Sequence, residues 1–385
     1  MNNEPLKWVA AWGNATSIAD RKPENYAKNL SLRYPLYIPF SGTKIRLRLS
    51  DFCGTEPITI SKVSVAESDG DRRIDISTMK IITFNGKPDV TIQPGTEIQS
   101  DELEFSVKTG CFISVTIYLN DFTEMRSGVI ITGPLSKGFF SIGDTTEMQD
   151  LPINLTRNTN CFYFLTTVDV LTSSNNKAVI CYGDSITAQS WPDYLSLSLK
   201  NHGIKNISVI RRAASGTRIL RQYNCITYDS YGLKGDIRFP NEIQVNGADK
   251  IIIQQGINDI IHPVGTDVNP FRPMSDLPTA DELIKGIEKY CKTAYKNNIR
   301  PFVGTLLPIY GWRTYADFRE KIRGNVNEWI RSSSKFEQCI DFDKALRDDS
   351  NKLMFSNGYD SGDHLHPSEK AYEVMADIAL PFIIK

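Results

Sequence analysis

One change of hydrophobic period divides this chain and limits the folds open to it. From Lys44 to about Val170 apolar residues recur at every second position. Lys44-Ile45-Arg46-Leu47-Arg48-Leu49 alternates, and from Cys111 to Leu119 every odd-numbered residue is apolar. Period two marks a strand with one buried and one wet face. Further short runs at 58–65, 79–84, 89–92 and 104–107 are separated by turn dipeptides such as Asp69-Gly70, Asn85-Gly86 and Pro94-Gly95. Strands so short and closely spaced predict an all-β, jelly-roll-like antiparallel sandwich. The small polar run Thr172-Ser173-Ser174-Asn175-Asn176-Lys177 ends this pattern, which gives an N-terminal domain over residues 1–172 and a second over 173–385.

Past the boundary, strand and helix patterns alternate. Strands are predicted at 178–182, 207–211, 250–255, 301–306 and 339–342, with an irregular stretch around 223–235. Leu283, Ile284, Ile287, Tyr290, Cys291, Ala294 and Tyr295 form the stripe of a helix lying on a sheet, and Phe318, Ile322, Val326, Trp329 and Ile330 mark the next. A helix at 192–201 and a last one at 367–384 complete the pattern. Five strands interleaved with helices imply a five-stranded parallel sheet in a three-layer α/β/α unit, whose sites form at the carboxyl ends of the strands.

Charge and cysteine content remove several classes of function. With 44 basic and 45 acidic residues the net charge is −1, so neither nucleic acid nor a membrane surface is an expected partner. No run of about 18 apolar residues exists to span a bilayer. Met1-Asn2-Asn3-Glu4-Pro5 has no basic segment leading into an apolar one, so a cytoplasmic location is expected, or secretion if a leader has been removed. The seven cysteines are scattered without a C-x-x-C pair, which reads as buried free thiols rather than a metal or redox site.

Four loops carry chemistry. Gly183-Asp184-Ser185 follows the apolar run Val179-Ile180-Cys181-Tyr182 and delivers a hydroxyl at a strand-to-helix turn, where the first backbone N–H groups lack intrahelical partners and can face an anion. Ala214-Ser215-Gly216-Thr217 offers a glycine whose backbone N–H can approach a ligand closely. Gly256-Ile257-Asn258-Asp259 places a side-chain amide at a strand tip. Asp363-His364-Leu365-His366-Pro367 precedes the last helix.

A serine hydroxyl needs an adjacent base, which is commonly an imidazole oriented by a carboxylate. Of the four histidines, His202 reads as a helix-end cap. His262 could line a site, but no carboxylate in its loop is placed to orient it. Pro367 fits the first position of the last helix and holds His366 extended, with Asp363 three residues earlier on the same side of a turn. His366 is therefore assigned as base and Asp363 as its orienting partner, with His364 in support.

Gly183-Asp184-Ser185-Ile186, Gly216, Gly256-x-Asn258-Asp259 and Asp363-x-x-His366-Pro367, in this order and spacing, resemble the four blocks of the SGNH hydrolases, or GDSL esterases. Asn327-Glu328-Trp329-Ile330-Arg331, Asp341-Phe342-Asp343 and the stretch 359–367 resemble two-domain bacterial members. Leu47-Arg48-Leu49-Ser50 and Val168-Asp169-Val170 resemble their N-terminal β domain. The resemblance implies Ser185 as nucleophile, His366 as base, Asp363 as orienting carboxylate, and an oxyanion hole from the N–H groups of Ser185 and Gly216 and the amide of Asn258. No metal or organic cofactor is implied.

By the same resemblance the chain is expected to be an esterase working through an acyl-enzyme. The expected substrate is a short acyl, chiefly O-acetyl, ester on a sugar or oligosaccharide. Trp191, Tyr310 and Trp312 come after motif or strand ends, where they could stack on a sugar or pack in the core. A lipase or thioesterase acting on longer chains is one alternative, and a non-catalytic carbohydrate-binding protein with a relict site is another. One departure concerns Gln189, which stands where the first block often has a glycine.

Overall fold

The computed structural model describes residues 5–19, 25–223, 226–265 and 270–385. Met1–Glu4 and Cys225, which bear on the expectations about a leader and about free thiols, lie outside the described residues. The chain divides into two compact units. One comprises Met1–Ala178, Leu199–Arg211 and Val245–Gly247, the other Val179–Ser198, Arg212–Gln244 and Ala248–Lys385.

The N-terminal unit is β-rich and its strand pairs are antiparallel. Its long strands are Leu30–Ile38, Gly42–Ser50, Cys111–Leu119 and Leu165–Ser173. Gly42–Ser50 pairs with Leu165–Ser173 in a five-stranded sheet, while Cys111–Leu119 lies between Leu30–Ile38 and Lys62–Ser68 in a six-stranded one. Along Gly42–Ser50 the expected alternation holds, with Ile45, Leu47 and Leu49 inaccessible and Lys44, Arg46 and Arg48 partly wet.

Cys111–Leu119 departs from it, because Ser114 and Thr116 are as buried as their apolar neighbours. Arg33 is the reason on the Thr116 side. Fully buried, it donates Nε–H to Thr116 Oγ1 at 3.0 Å and its terminal N–H groups to the carbonyls of Arg72, Thr145 and Met148 at 2.7–2.9 Å. Burial lowers the guanidinium to about 10, which still leaves it charged at neutral pH.

The C-terminal α/β part is organised on a five-stranded sheet. Its strands are β1 (Lys177–Gly183), β2 (Ile207–Ala213), β3 (Ala248–Gln254), β4 (Arg300–Gly304) and β5 (Cys339–Ile340), in the order 2-1-3-4-5. β3 runs parallel to β4 and β4 to β5. The inaccessible run Ile251-Ile252-Ile253 fits a strand covered on both faces. In this order the direction of winding reverses between β1 and β3, the position at which open α/β sheets characteristically form sites.

Helices α1 (Ser185–Ala188), α2 (Trp191–Asn201), α3 (Gly235–Glu242), α4 (Ile257–Ile261), α5 (Ala280–Lys296), α6 (Asp317–Ser332), α7 (Phe342–Leu346) and α8 (Glu369–Ile383) interleave with the strands. α5 starts where Thr279 and Glu282 form a reciprocal capping box, and it buries Leu283, Ile287, Tyr290, Cys291 and Ala294 as expected.

Four sequence expectations need correcting. The last strand stops at Ile340, because Asp341 accepts from Lys344 N–H and caps α7 at Phe342. The stretch around 223–235 contains a 3₁₀ segment at Ile226–Tyr231, and α3 begins at its end. α8 starts at Glu369 rather than Pro367, because Pro367 is bridged to Asp360 and Ser368 is the cap. On α6, Phe318 is 47% exposed and the buried face is Arg319, Arg323, Val326, Asn327 and Ile330.

That α6 face is polar because it closes the end of β4. Asn327 exchanges two 2.8 Å hydrogen bonds with the backbone of Leu306, and Arg323 donates to the Leu306 carbonyl and to Asp343, each at 2.8 Å. Asp343, 2% exposed, also accepts from Arg331 at 2.6 Å and Arg347 at 2.9 Å.

Removing the centre of this network leaves Arg323 with Glu320 as its remaining carboxylate, at 2.6 and 2.9 Å, and its Nη1 short of a buried acceptor, a loss of about 1–3 kcal/mol. Asp343→Ala is therefore expected to lower the urea unfolding free energy by roughly that amount. A loss under about 1 kcal/mol, in the range of an exposed pair, would count against it.

Candidate active site

Three loops at strand ends and the turn before α8 supply the site. At the end of β1, a Cβ on Gly183 would lie 2.4 Å from the Gln254 carbonyl oxygen, so the close approach of β1 to β3 requires glycine there. Asp184 caps α1, its Oδ1 accepting from Ile186 N–H at 3.1 Å, and Ser185 is the first helical residue. Gln189 closes α1 at φ −87°, with its N–H donating to the Ser185 carbonyl at 3.2 Å. At that φ a side chain is unstrained, so the absent glycine costs the turn nothing.

The imidazole arrives from the other end of the sequence. Ser185 Oγ and His366 Nε2 are 2.8 Å apart, and His366 Nδ1 is 2.6 Å from Asp363 Oδ2. Asp363 is held by its own turn, with Oδ1 accepting the N–H groups of Leu365 and His366 at 2.9 and 2.8 Å. Burial alone would raise the Asp363 carboxyl, but the hydrogen bonds and charge of His366 outweigh it and hold the group well below the usual carboxylate range. His364 lies outside this relay. It adopts φ +63°, its Nδ1 is 2.6 Å from Asp360 Oδ2, and its ring packs on Gly311.

The remaining two blocks are locked to each other. Gly216 has φ +76°, and a Cβ there would meet the Tyr231 ring at 2.5 Å. Next to it, Thr217 donates its hydroxyl to the Ala214 carbonyl at 2.8 Å and accepts from Arg238 and Gln255 at 2.8 and 3.0 Å. Asn258 Nδ2 donates to the Thr217 carbonyl at 3.1 Å, which fixes the amide and leaves its second N–H for another acceptor. Asp259 ties the loops together, its two oxygens accepting from Ile219 and Leu220 N–H at 2.8 and 2.9 Å.

The aromatic and histidine candidates separate. Trp191 is 0% exposed and packs 5.7 Å from Phe342, so it is a core residue and not a stacking platform. It opens α2 on the helix's buried face, which the sequence position could not show. Tyr310 is exposed and meets Tyr315 edge-on at 4.9 Å, while Trp312 is half-buried beneath the Arg313 guanidinium at 4.6 Å. His262 is buried and stacked on Tyr231 at 4.7 Å. Burial first, and then Arg272, Arg218 and Arg313, push it well below its ordinary value, so it is neutral.

Sequence reasoning missed Tyr231, Arg218 and Arg272 as neighbours of these blocks. Arg218 sits two residues after Gly216 and was open to notice, whereas Tyr231 and Arg272 carry no local signal. Cys53, Cys161, Cys181 and Cys291 are buried, while Cys111 and Cys339 are partly exposed. Among the described residues no three His, Cys, Asp or Glu side chains group as metal ligands, and no helix is long and apolar enough to cross a membrane.

A family model described as GDSL-like Lipase/Acylhydrolase matches residues 179–379, just over half of the chain. No curated protein matches. Among solved structures, a GDSL-like lipase from Bacteroides thetaiotaomicron is 19% identical with a TM-score of 0.39, covering 54% of this chain and 88% of its own. A lipase/acylhydrolase from Enterococcus faecalis is 18% identical (TM-score 0.39; 54% and 95% covered). An acetyl xylan esterase is 20% identical (TM-score 0.38; 54% and 99% covered).

Asp184 and Asp259 are both raised by burial, to about 7 and about 6. Each carboxyl therefore binds a proton more tightly in the folded than in the unfolded chain, where it titrates near ~4. The resulting stability is present below that unfolded value and is lost as pH rises through the folded one. Asp184→Asn keeps an oxygen to cap Ile186 while removing one titration. Its urea midpoint is expected to fall less between pH 5 and pH 8 than that of the parent, and an unchanged pH slope would refute the assignment.

Proposed function

Because the chain belongs to the GDSL-like lipase/acylhydrolase family, we propose that it is a serine esterase that removes short acyl groups, chiefly acetyl, from a carbohydrate. The observation that supports this reading is the unbroken relay from Ser185 through His366 to Asp363 at 2.8 and 2.6 Å. Ser185 Oγ attacks the ester carbonyl carbon while His366 Nε2 takes its proton. Asp363 accepts the Nδ1–H bond, which fixes the tautomer and steadies the imidazolium. The oxyanion is held by the N–H groups of Ser185 and Gly216 and by the second N–H of Asn258.

His366 then gives its proton to the departing alkoxide, leaving an acyl-serine. Water, deprotonated by the same ring, attacks the acyl carbon and regenerates the hydroxyl. On the alcohol side, Tyr310 and Trp312 remain as rings for a sugar to stack on, next to the loop that packs against His364. Neutral His262 beside Tyr231 offers a hydrogen-bonding edge near Gly216. The same reading takes the α/β part as a three-layer unit and the N-terminal sheets as a jelly-roll-like sandwich.

A series of 4-nitrophenyl esters tests the acyl preference, with kcat/KM expected to fall from acetate to octanoate. A rise along the series would replace the acetylesterase with a longer-chain lipase or thioesterase. Ser185→Ala is expected to lower turnover by a factor on the order of 10⁶, and Asn258→Ala by about 10²–10³. An organophosphonate should form an adduct on Ser185, and its absence would favour a protein that binds without catalysis.

A further inference from the structure

Beside Gly216 the fold buries positive charge that its own carboxylates do not fully meet. Arg218 is 2% exposed; its Nη1 donates to Asp276 at 3.2 Å, while Nε and Nη2 have no hydrogen-bond partner among the described residues. Its guanidinium lies 4.2 Å from the centre of the Tyr223 ring. Arg272 is 9% exposed, donates Nε–H to the His262 carbonyl at 2.7 Å, lies 5.6 Å from the Tyr228 ring and makes no ion pair among the described residues. His262 Nδ1 is likewise buried and unpartnered. Tyr231 connects this group to the oxyanion loop, because its ring abuts Gly216 on one side and stacks on His262 on the other.

Buried donors left without acceptors favour a ligand that supplies them, and an arginine fork matches a carboxylate in two parallel hydrogen bonds. We propose that Arg218 and Arg272, flanked by Tyr223, Tyr228 and Tyr231, form a subsite for a carboxylate carried by the ester substrate. The inference rests on the esterase reading and narrows its substrate to acidic esters. Among the described residues Arg218 pairs with Asp276 and Arg272 with no carboxylate, so the two guanidinium groups retain positive charge for an anionic group. Asp259 adds little as a competitor, since both its oxygens already accept backbone N–H groups. The carboxylate sits either on the alcohol, as in a hexuronate, or at the far end of a dicarboxylic acyl group.

Paired substrates distinguish these sources. The full chain would be assayed on an acetylated hexuronate oligosaccharide against its neutral hexose counterpart, and on mono-4-nitrophenyl succinate against 4-nitrophenyl butyrate. A preference of tenfold or more in kcat/KM for the acidic member of either pair is expected, and the pair that shows it identifies the source. Arg272→Gln should reduce that preference at least tenfold with the organophosphonate adduct on Ser185 retained, and Arg272→Lys should restore part of it. Equal rates within both pairs overturn the subsite and leave the esterase standing, and the wild-type comparison reads this even if a variant fails to fold. No hydrolysis of any ester together with no adduct overturns both.

Discussion

The hydrogen-bonded line from a hydroxyl to an imidazole to a carboxylate depends on bringing together residues 181 positions apart. A serine at the end of β1 cannot reach a histidine ahead of α8 unless both segments are held firmly in place. The hold is local on each side. Asp184 caps the one-turn helix that starts at Ser185, and Asp360 and Asp363 gather the backbone amides of their own turn. Preorganisation of this kind is what lets a weak nucleophile be activated without a reordering cost at the moment of reaction.

Buried polar groups carry much of that order. Thr217 satisfies Arg238 and Gln255 at once, Asp259 fastens the loop after β2 to the helix after β3, and Arg323, Asn327 and Asp343 close the end of β4. In a low-dielectric interior such bonds are strong when complete and costly when broken. They therefore favour one arrangement of the loops over its near neighbours. The raised carboxyls of Asp184 and Asp259 are the cost of this arrangement: each is an acid kept from water, Asp184 holding one backbone amide through Oδ1 and Asp259 holding two.

The cluster around Tyr231 extends the same logic. Its ring is the physical link between Gly216, in the loop after β2, and a neutral histidine beside two arginines. Where the polar interior around Thr217 and Asp259 is satisfied from within, the guanidinium of Arg218 is only partly so.

By itself the sequence determined the change from antiparallel β structure to alternating strands and helices, the five parallel strands, and the four motif-bearing loops. These come from short-range physics, since periodicity reports which face of an element is dry and Gly-Asp-Ser or Asp-x-x-His reports what a turn can present. Tertiary structure alone decided which polar residues go inside. The stripe drawn through Phe318 missed Arg319, Arg323 and Asn327 because a hydrophobic pattern cannot see a buried group that is satisfied by partners distant in sequence. Trp191 could have been platform or core from its sequence position and proves to be core for a related reason: an aromatic ring is equally suited to both, and only the elements packed around it choose. Arg218 and His262 lie beside sequence motifs, but their gathering with Tyr231 and Arg272 has no sequence signature, because it arises from where three separate loops meet.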